Sequence, residues 1–215
     1  MAACLSGCGL VTWSLGEFDM AEMFLRQCAE YYISVADEAN AGYTLGNLGN
    51  LAFRKGEISK AITAYSRSLE IFRRMGAQPA AAFAMSNLAD CLRREGKRQE
   101  AIRLSLESLS LRRDLQFYTD LALPLETLGL IAALSSPLDR SARLLASADA
   151  MRTLYGRPAT PESLDERRPT EEALRAALPE ATWNTIREEA TALTAEKAIL
   201  DAIHAFDDAE GNKEL

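Results

Sequence analysis

Residues 47–69 read NLGNLAFRKGEISKAITAYSRSL, and residues 87–109 read NLADCLRREGKRQEAIRLSLESL. Placed 40 positions apart, the two segments agree in their Asn-Leu pair, their central glycine, the alanine that follows it and their Ser-Leu pair. Self-similarity at a fixed period indicates a repeat protein in which each copy is one supersecondary unit. The columns that keep this register through residue 150 are Gly16, Gly56, Gly96 and Ser136; Gly9, Gly49, Ala89 and Gly129; Ala21, Ala61, Ala101 and Ser141; and Cys8, Leu48, Leu88 and Leu128.

Each column of the repeat has a packing reason. Small side chains at Gly49, Ala61 and Ser68 are expected to let two antiparallel helices cross closely. Gly56 separates the two helical patterns, where a left-handed C-cap or a tight turn suits glycine. After that glycine, an apolar stripe with helical spacing runs through Ile58, Ile62, Tyr65, Leu69 and Phe72. Each copy is therefore predicted to be a helical hairpin.

The composition points to the same fold class, all-α. The 215 residues include 36 alanines and 31 leucines but only 2 valines and 9 isoleucines, and β-branched side chains favour strands whereas alanine and leucine favour helices. The net charge is −7, and nearly all of the excess acid lies in residues 116–215. Because an acidic chain is poorly suited to hold a polyanion, direct nucleic-acid binding is not expected. No apolar run approaches the roughly 20 residues that span a bilayer, so no membrane association is expected.

These residues resemble the tetratricopeptide repeat. The 40-residue period is longer than that of the ordinary unit, and it is similar to the period of kinesin light chains and of MalT-like bacterial regulators. The resemblance implies a right-handed α-solenoid of about four hairpins over residues 1–155. The expected copies lie at about 2–40, 41–80, 81–120 and 121–155. In the fourth copy, Pro124 fits only if its helix begins late, near Asp120.

The composition changes after Tyr155. Residues 156–169 contain one glycine and three prolines among charged residues, and they are predicted to form an extended loop. Shorter helices are predicted at about 170–178, 180–193 and 195–206, followed by a disordered tail over 207–215. Because a solenoid needs a cover for its last apolar face, residues 170–206 are expected to form a C-terminal helical cap.

The region from Ser141 to Arg152, taken with Leu193 to Ile199, resembles the C-terminal end of bacterial multidomain regulators of the LuxR and MalT type. Such proteins join an ATP-binding module to repeats of this kind, so the resemblance implies a part in signalling or transcription regulation. Met1 comes one residue before the first repeat, and the chain is expected either to be a fragment or to pair with another subunit through its N-terminal end. The candidate residues for this self-association are Leu5, Leu10, Val11 and Trp13.

The sequence contains no arrangement typical of a catalytic, cofactor or metal site. Its single histidine, His204, has no second histidine or cysteine pair at metal spacing, and no Ser/His/Asp set or Gly-rich phosphate loop is present. Cys4, Cys8, Cys28 and Cys91 lie in helix-like segments and are interpreted as buried, reduced thiols of a cytoplasmic protein. We therefore expect a non-catalytic protein without a cofactor.

The resemblance instead implies a protein- or peptide-binding role for the concave face, which the first helix of each unit lines. The candidate residues are Asn47, Asn50, Arg54, Asn87, Asp90, Arg93, Arg94 and Thr127. An asparagine amide can pair with a ligand backbone, and an arginine can hold a carboxylate or phosphate in a forked contact. The alternative is that Asn47 and Asn87 cap or cross-link helices. The alternative function is a self-associating scaffold that has no ligand in this groove.

Overall fold

The described part of the chain is entirely helical. The computed structural model describes residues 17–134 and 137–211, with side chains through Phe206. These residues form ten α-helices and no strand: α1 (Phe18–Ser34), α2 (Glu38–Arg54), α3 (Ile58–Met75), α4 (Gln78–Arg94), α5 (Arg98–Asp114), α6 (Ala122–Ala132), α7 (Leu138–Leu154), α8 (Pro161–Ala177), α9 (Glu180–Thr191) and α10 (Ala195–Gly211). The prediction of an all-α fold built of tetratricopeptide-like hairpins is confirmed. The chain divides into two compact units, residues 1–97 with α1–α4 and residues 98–215 with α5–α10.

In the first unit, α2 and α3 form a hairpin, α1 packs against α2, and α4 packs against α3. Gly56 joins the hairpin with φ +74°, the left-handed turn that the sequence predicts. The two helices approach most closely at Gly49, where an added Cβ would lie 2.6 Å from the ring of Tyr65. Ser68 Oγ donates a hydrogen bond of 2.8 Å to the backbone carbonyl of Gly42. The small residues of the repeat therefore have the packing role that was expected of them.

The predicted apolar stripe on α3 forms the core side of that helix. Tyr65, Leu69 and Phe72 are buried, while Ile58 and Ile62 at its N-terminal end are only partly buried. Burial of large apolar side chains is the main source of stability in such a hairpin.

In the second unit, α6 begins late, as Pro124 requires. The helix starts at Ala122, so Pro124 falls within its first turn. A proline there loses no intrahelical hydrogen bond, because the first backbone N–H groups of a helix have no intrahelical acceptor. The preceding loop turns sharply, with positive φ values of 52° at Gln116 and 60° at Asp120.

Arg112 is an unexpected member of the core in the second unit. It stands in the 40-residue column that holds Tyr32 and Phe72, and it is fully buried. Its guanidinium donates to the hydroxyl of Ser108, at 3.3 Å, and to the backbone carbonyl of Thr119. Burial lowers the pKa of Arg112 to about 10 because it disfavours the charged form. Arg112 thus fixes the loop before α6 to the end of α5.

The predicted loop at 156–169 is wrong from residue 161 onward. Helix α8 begins at Pro161, with the hydroxyl of Thr160 accepting the Ser163 N–H at 3.2 Å, and it continues through Pro169 to Ala177. Thr at the N-cap followed by Pro at the first helical position is a favourable helix start. The helix tolerates the internal Pro169 because tertiary contacts elsewhere along α8 hold it.

The strongest of these contacts form a buried ion network centred on Arg167 and Glu126. The Glu126 carboxylate of α6 accepts from Ser163 Oγ at 2.6 Å and from Arg167 at 3.2 Å, and it also pairs with Arg152 of α7. Arg167 pairs in addition with Asp149 of α7 and with Glu171. Burial alone would lower the pKa of Arg167, but the hydrogen bond and charge of Asp149, with those of the two glutamates, raise it overall. The network ties α8 to both helices of the α6–α7 hairpin.

The last two helices fit the sequence predictions at their starts. Helix α9 covers Glu180–Thr191, and α10 begins at Ala195 with the hydroxyl of Thr194 accepting the Lys197 N–H at 3.2 Å. The prediction of a disordered tail from residue 207 is wrong as far as Gly211, because α10 extends to that residue, and positions 212–215 lie outside the described residues. Helix α9 packs against α7, and α10 packs against α5 and α7.

Candidate partner-binding face

Helix α2 carries a row of one aromatic and three polar side chains that are not fully buried. Tyr43, Asn47, Asn50 and Arg54 are spaced by four, three and four residues, which places them on one side of the helix. Tyr43 is 59% exposed, Asn47 and Asn50 are partly buried, and Arg54 is exposed. An exposed aromatic ring beside a partly buried amide is typical of interaction surfaces.

Helix α4 repeats this row in the same register. Phe83, Asn87, Asp90 and Arg94 stand 40 residues after the four members on α2. Phe83 is 41% exposed. The guanidinium carbon of Arg94 lies 4.3 Å from the ring centre of Phe53 on α2, a cation–π contact that joins the two helices. We call the two rows together the α2/α4 face.

Some amides of the α2/α4 face already have structural partners. The Tyr65 hydroxyl donates to Asn50 Oδ1 at 2.6 Å, and Asn87 Nδ2 donates to the Phe83 carbonyl at 2.9 Å. Asn50 thus cross-links α2 to α3, and Asn87 bonds within its own helix while its amide oxygen stays available. Among the described residues, no side-chain hydrogen bond engages the amide of Asn47.

The charged end of the face centres on Asp90. Its buried carboxylate accepts from Arg93 at 2.7 Å and from Arg94 at 3.2 Å. The arrangement holds both guanidinium groups in place. Behind it, burial, with a further contribution from Asp90, raises the pKa of the Cys91 thiol to about 12. Cys28 and Cys91 are buried free thiols, and Cys4 and Cys8 lie outside the described residues.

Thr127 does not belong to an accessible surface. It is 1% exposed within α6, and its hydroxyl has no hydrogen-bond partner among the described residues. Its expected contact with a ligand is therefore ruled out in this conformation, because a ligand cannot reach a side chain that other side chains cover. The self-association candidates Leu5, Leu10, Val11 and Trp13 lie outside the described residues.

The sequence predictions missed the aromatic part of the face. Tyr43 and Phe83 precede Asn47 and Asn87 by one helical turn and stand 40 residues apart. This column was available in the repeat register. An aromatic residue in a helical pattern is more often a core residue, so the column alone does not indicate an exposed surface.

Two further classes of site find no support among the described residues. In those residues, no group of three histidine, cysteine or acidic side chains is placed to hold a metal ion. None of the described helices combines the length and the apolar character needed to cross a membrane.

Comparison with known proteins agrees with this architecture. The tetratricopeptide repeat family matches residues 40–114, which cover α2 from Asn40 onward and all of α3, α4 and α5. Among curated proteins, none matches the chain. The crystal structure of BtubC (BKLC) from P. vanneervenii is similar, with a TM-score of 0.59 and 18% sequence identity over 96% of this chain and 80% of that chain. Residues 40–114 are therefore similar to the tetratricopeptide repeat family, and the described residues have a fold of the same helical-hairpin kind.

Proposed function

We propose that the chain is a non-catalytic scaffold that binds an extended peptide segment of a partner protein on the α2/α4 face. Tetratricopeptide repeats are generally protein-interaction scaffolds, which supports the general role. The observation that carries the specific site is the duplicated row, aromatic–Asn–polar–Arg, at the same register on α2 and α4.

The chemistry of the face suits a peptide backbone in its centre and a carboxylate at one end. The amide of Asn47 and the amide oxygen of Asn87 provide hydrogen-bonding groups that any peptide can use, whatever its side chains. Tyr43 and Phe83 provide apolar area beside them. Arg93 and Arg94, positioned by Asp90, place two guanidinium charges at one end of the face, which would attract an acidic side chain or a C-terminal carboxylate.

The wider role that we propose is a part in a bacterial signalling or transcription regulator. It is supported by the resemblance of Ser141 to Arg152, and of Leu193 to Ile199, to the C-terminal end of such regulators. A cytoplasmic location belongs to the same proposal. The proposal expects an ATP-binding module to be encoded in the same reading frame or next to it, and a genomic sequence lacking one would count against it.

Self-association is a second candidate function, favoured by an apolar outer face on α1. Met20, Met23 and Ile33 are 46%, 47% and 47% exposed, although the later repeats carry mainly charged or polar residues at these columns. Light scattering after size exclusion tests it. A dimer that dissociates in the Met20→Lys/Met23→Lys variant would support self-association, and a monomer at high concentration would exclude it.

The peptide proposal is tested with a phage-displayed library of random peptides selected on the chain. The affinity of a selected peptide is then measured by fluorescence anisotropy. Asn47→Ala/Asn87→Ala should weaken it by about thirtyfold, as the loss of two hydrogen bonds implies. Asn184→Ala, which changes an exposed asparagine on α9, is the matched control and should leave the affinity unchanged. Equal affinities for the double variant and the control would refute the site.

A further inference from the structure

Helix α10 lies in a groove between α5 and α7, each of which is the second helix of its 40-residue repeat. In the second unit, α10 packs against α5 and α7. Its residues Ala198, Ile199 and Ala202 are buried in one apolar cluster with Leu125 and Leu128 of α6. Helices α5 and α7 thus form the walls of this groove, α6 forms its floor, and α10 fills it.

The first unit contains the same groove, displaced by 80 residues in the sequence. Leu45, Leu48 and Ala52 on α2 stand in the columns of Leu125, Leu128 and Ala132 on α6. A cavity of about 330 Å³ lies over these α2 residues, between α1 and α3. We call it the α1/α3 groove. It involves the side of α2 that carries residues 45, 48 and 52, and not the row from Tyr43 to Arg54.

The floor of the α1/α3 groove is apolar and less covered than its counterpart. Leu48 and Ala64 are only partly buried. Leu128 and Leu144, which occupy the same columns in the second unit, are 0% and 4% exposed beneath α10. Among the described residues of the first unit, no helix covers the α1/α3 groove as α10 covers its counterpart.

The rim of the α1/α3 groove carries a small excess of positive charge, because Arg26 pairs with Glu22 and Lys60 pairs with Glu57 at 3.0 Å, whereas Arg67 has no acidic partner among the described residues. Its lining includes Arg26, Lys60 and Arg67, with Glu22 as the acidic member. Glu22 is held by Arg26 at 2.8 Å and by Lys55 at 2.9 Å, so its charge is neutralised locally. Ile102 and Leu106 replace Glu22 and Arg26 in the second unit, which makes that groove apolar where this one is charged. A helix that fits the α1/α3 groove therefore needs acidic residues beside its apolar stripe.

We propose that the α1/α3 groove binds an acidic amphipathic helix of a partner protein, with small apolar residues facing Leu48 and Ala64, as α10 is seated in the second unit. The site is separate from the α2/α4 face and does not rest on the peptide proposal. The contact would be wet and charged at its rim and apolar at its floor, as protein interfaces commonly are.

The test uses a labelled synthetic peptide with the sequence of residues 194–211 as the probe. This peptide has the proposed chemistry, since it carries five acidic residues against one lysine beside the stripe of α10. Binding to the full chain is measured by anisotropy at low salt and again at high salt. We expect saturable binding that weakens with salt, because the rim contributes charge attraction.

Two variants of the chain locate the binding. Arg67→Glu reverses an exposed rim charge and should weaken the peptide by about tenfold. Ala64→Phe fills the groove and should reduce binding at least as much, with circular dichroism confirming that the variant folds. The matched control is Arg187→Glu on α9, outside the groove, which should leave affinity unchanged.

Three outcomes would overturn the proposal. The first is an absence of peptide binding at a concentration of about 1 mM. The second is binding that neither Arg67→Glu nor Ala64→Phe changes, which would mean that the peptide exchanges with α10 in the second unit or binds elsewhere. The third is that the chain alone forms a dimer and that Arg67→Glu makes this dimer dissociate. That result would assign the groove to a second copy of the chain.

Discussion

The hydroxyl of Tyr65 on α3 donates a hydrogen bond of 2.6 Å to the amide oxygen of Asn50 on α2. The tyrosine ring also covers Gly49, so a single side chain closes the hairpin by packing and by a polar bond. This relationship separates the two asparagines of α2. Asn50 holds the fold, whereas the Asn47 amide has no side-chain hydrogen bond among the described residues.

The Tyr65 bond predicts a specific dependence of stability on pH. Burial raises the pKa of Tyr65 above its usual value of 10.0, so the unfolded chain releases this proton first as the pH rises. The stabilisation is therefore fully present below pH 10.0 and is lost as the pH rises above that value. Tyr65→Phe should cost about 1 kcal/mol at neutral pH and should make the alkaline decline shallower.

Urea unfolding between about pH 8 and pH 11 checks this prediction. Cys91 contributes a decline of the same sign, since burial raises its pKa to about 12, and Cys91→Ala serves as the background in which both chains are compared. The prediction would be contradicted if the free energy of unfolding fell equally with rising pH in the chains with and without the Tyr65 hydroxyl.

Replacing either of two glycines on α2 by alanine should change the stability of the first unit, but in opposite directions. At Gly49 the new Cβ would lie 2.6 Å from the Tyr65 ring, so Gly49→Ala should destabilise the first unit by about 1–3 kcal/mol. At Gly46 the nearest atom is Ser68 Oγ at 3.5 Å, an ordinary contact. Gly46→Ala should therefore stabilise by about 0.5–1 kcal/mol, because alanine favours the helix. Thermal unfolding of the two variants tests this prediction. Equal changes in melting temperature would refute the close approach of Gly49 to Tyr65.

Arg167 should contribute far more to the stability of the second unit than its neighbour Arg168. Arg167→Met removes one of the two arginines that pair with the buried Glu126, leaving Arg152, and it also removes the Arg167 bond of the half-exposed Asp149, so it should cost about 2 kcal/mol in the second unit. Arg168 is exposed and pairs with Asp165. Arg168→Met should therefore lower the free energy of unfolding by less than about 1 kcal/mol. Hydrogen exchange at the α8 amides is the measurement. Similar protection of α8 in the two variants would show that the ion network does not hold the helix.

The hairpins were predictable because their cause is local and repeated. Gly49, Ala61 and Gly56 each meet a steric requirement that recurs every 40 residues, and the pattern therefore appears in the sequence itself. The late start of α6 was predictable for a similar reason, since Pro124 can occupy only the first turn of a helix.

The part of helix α8 before residue 170 was not predicted, although Thr160 and Pro161 form a favourable helix start. Its prolines and charges are typical of a loop, and Arg167 becomes a core residue only after the hairpin has brought Glu126 and Asp149 together. Arg112 was missed for the same reason. It belongs to the basic pair Arg112-Arg113, which looks like a solvated surface, yet folding turns it toward the carbonyl of Thr119.

The candidate face was predictable in part. The asparagine column, Asn47 and Asn87, follows from the repeat register, and so does the position of Asp90 beside two arginines. The exposure of Tyr43 and Phe83 does not follow from the sequence, because an aromatic residue on an amphipathic helix has two possible sides. The burial of Thr127 depends on contacts within the second unit, and the sequence of α6 alone does not reveal it.

Hydrogen–deuterium exchange of the chain, with and without a peptide selected from the random library, tests the central claim most directly. We predict added protection on α2 and α4, and a loss of that protection in Asn47→Ala/Asn87→Ala. Protection confined to α1 and α3, or to α8–α10, with α2 and α4 unchanged, would contradict the assignment of the α2/α4 face as the peptide-binding site.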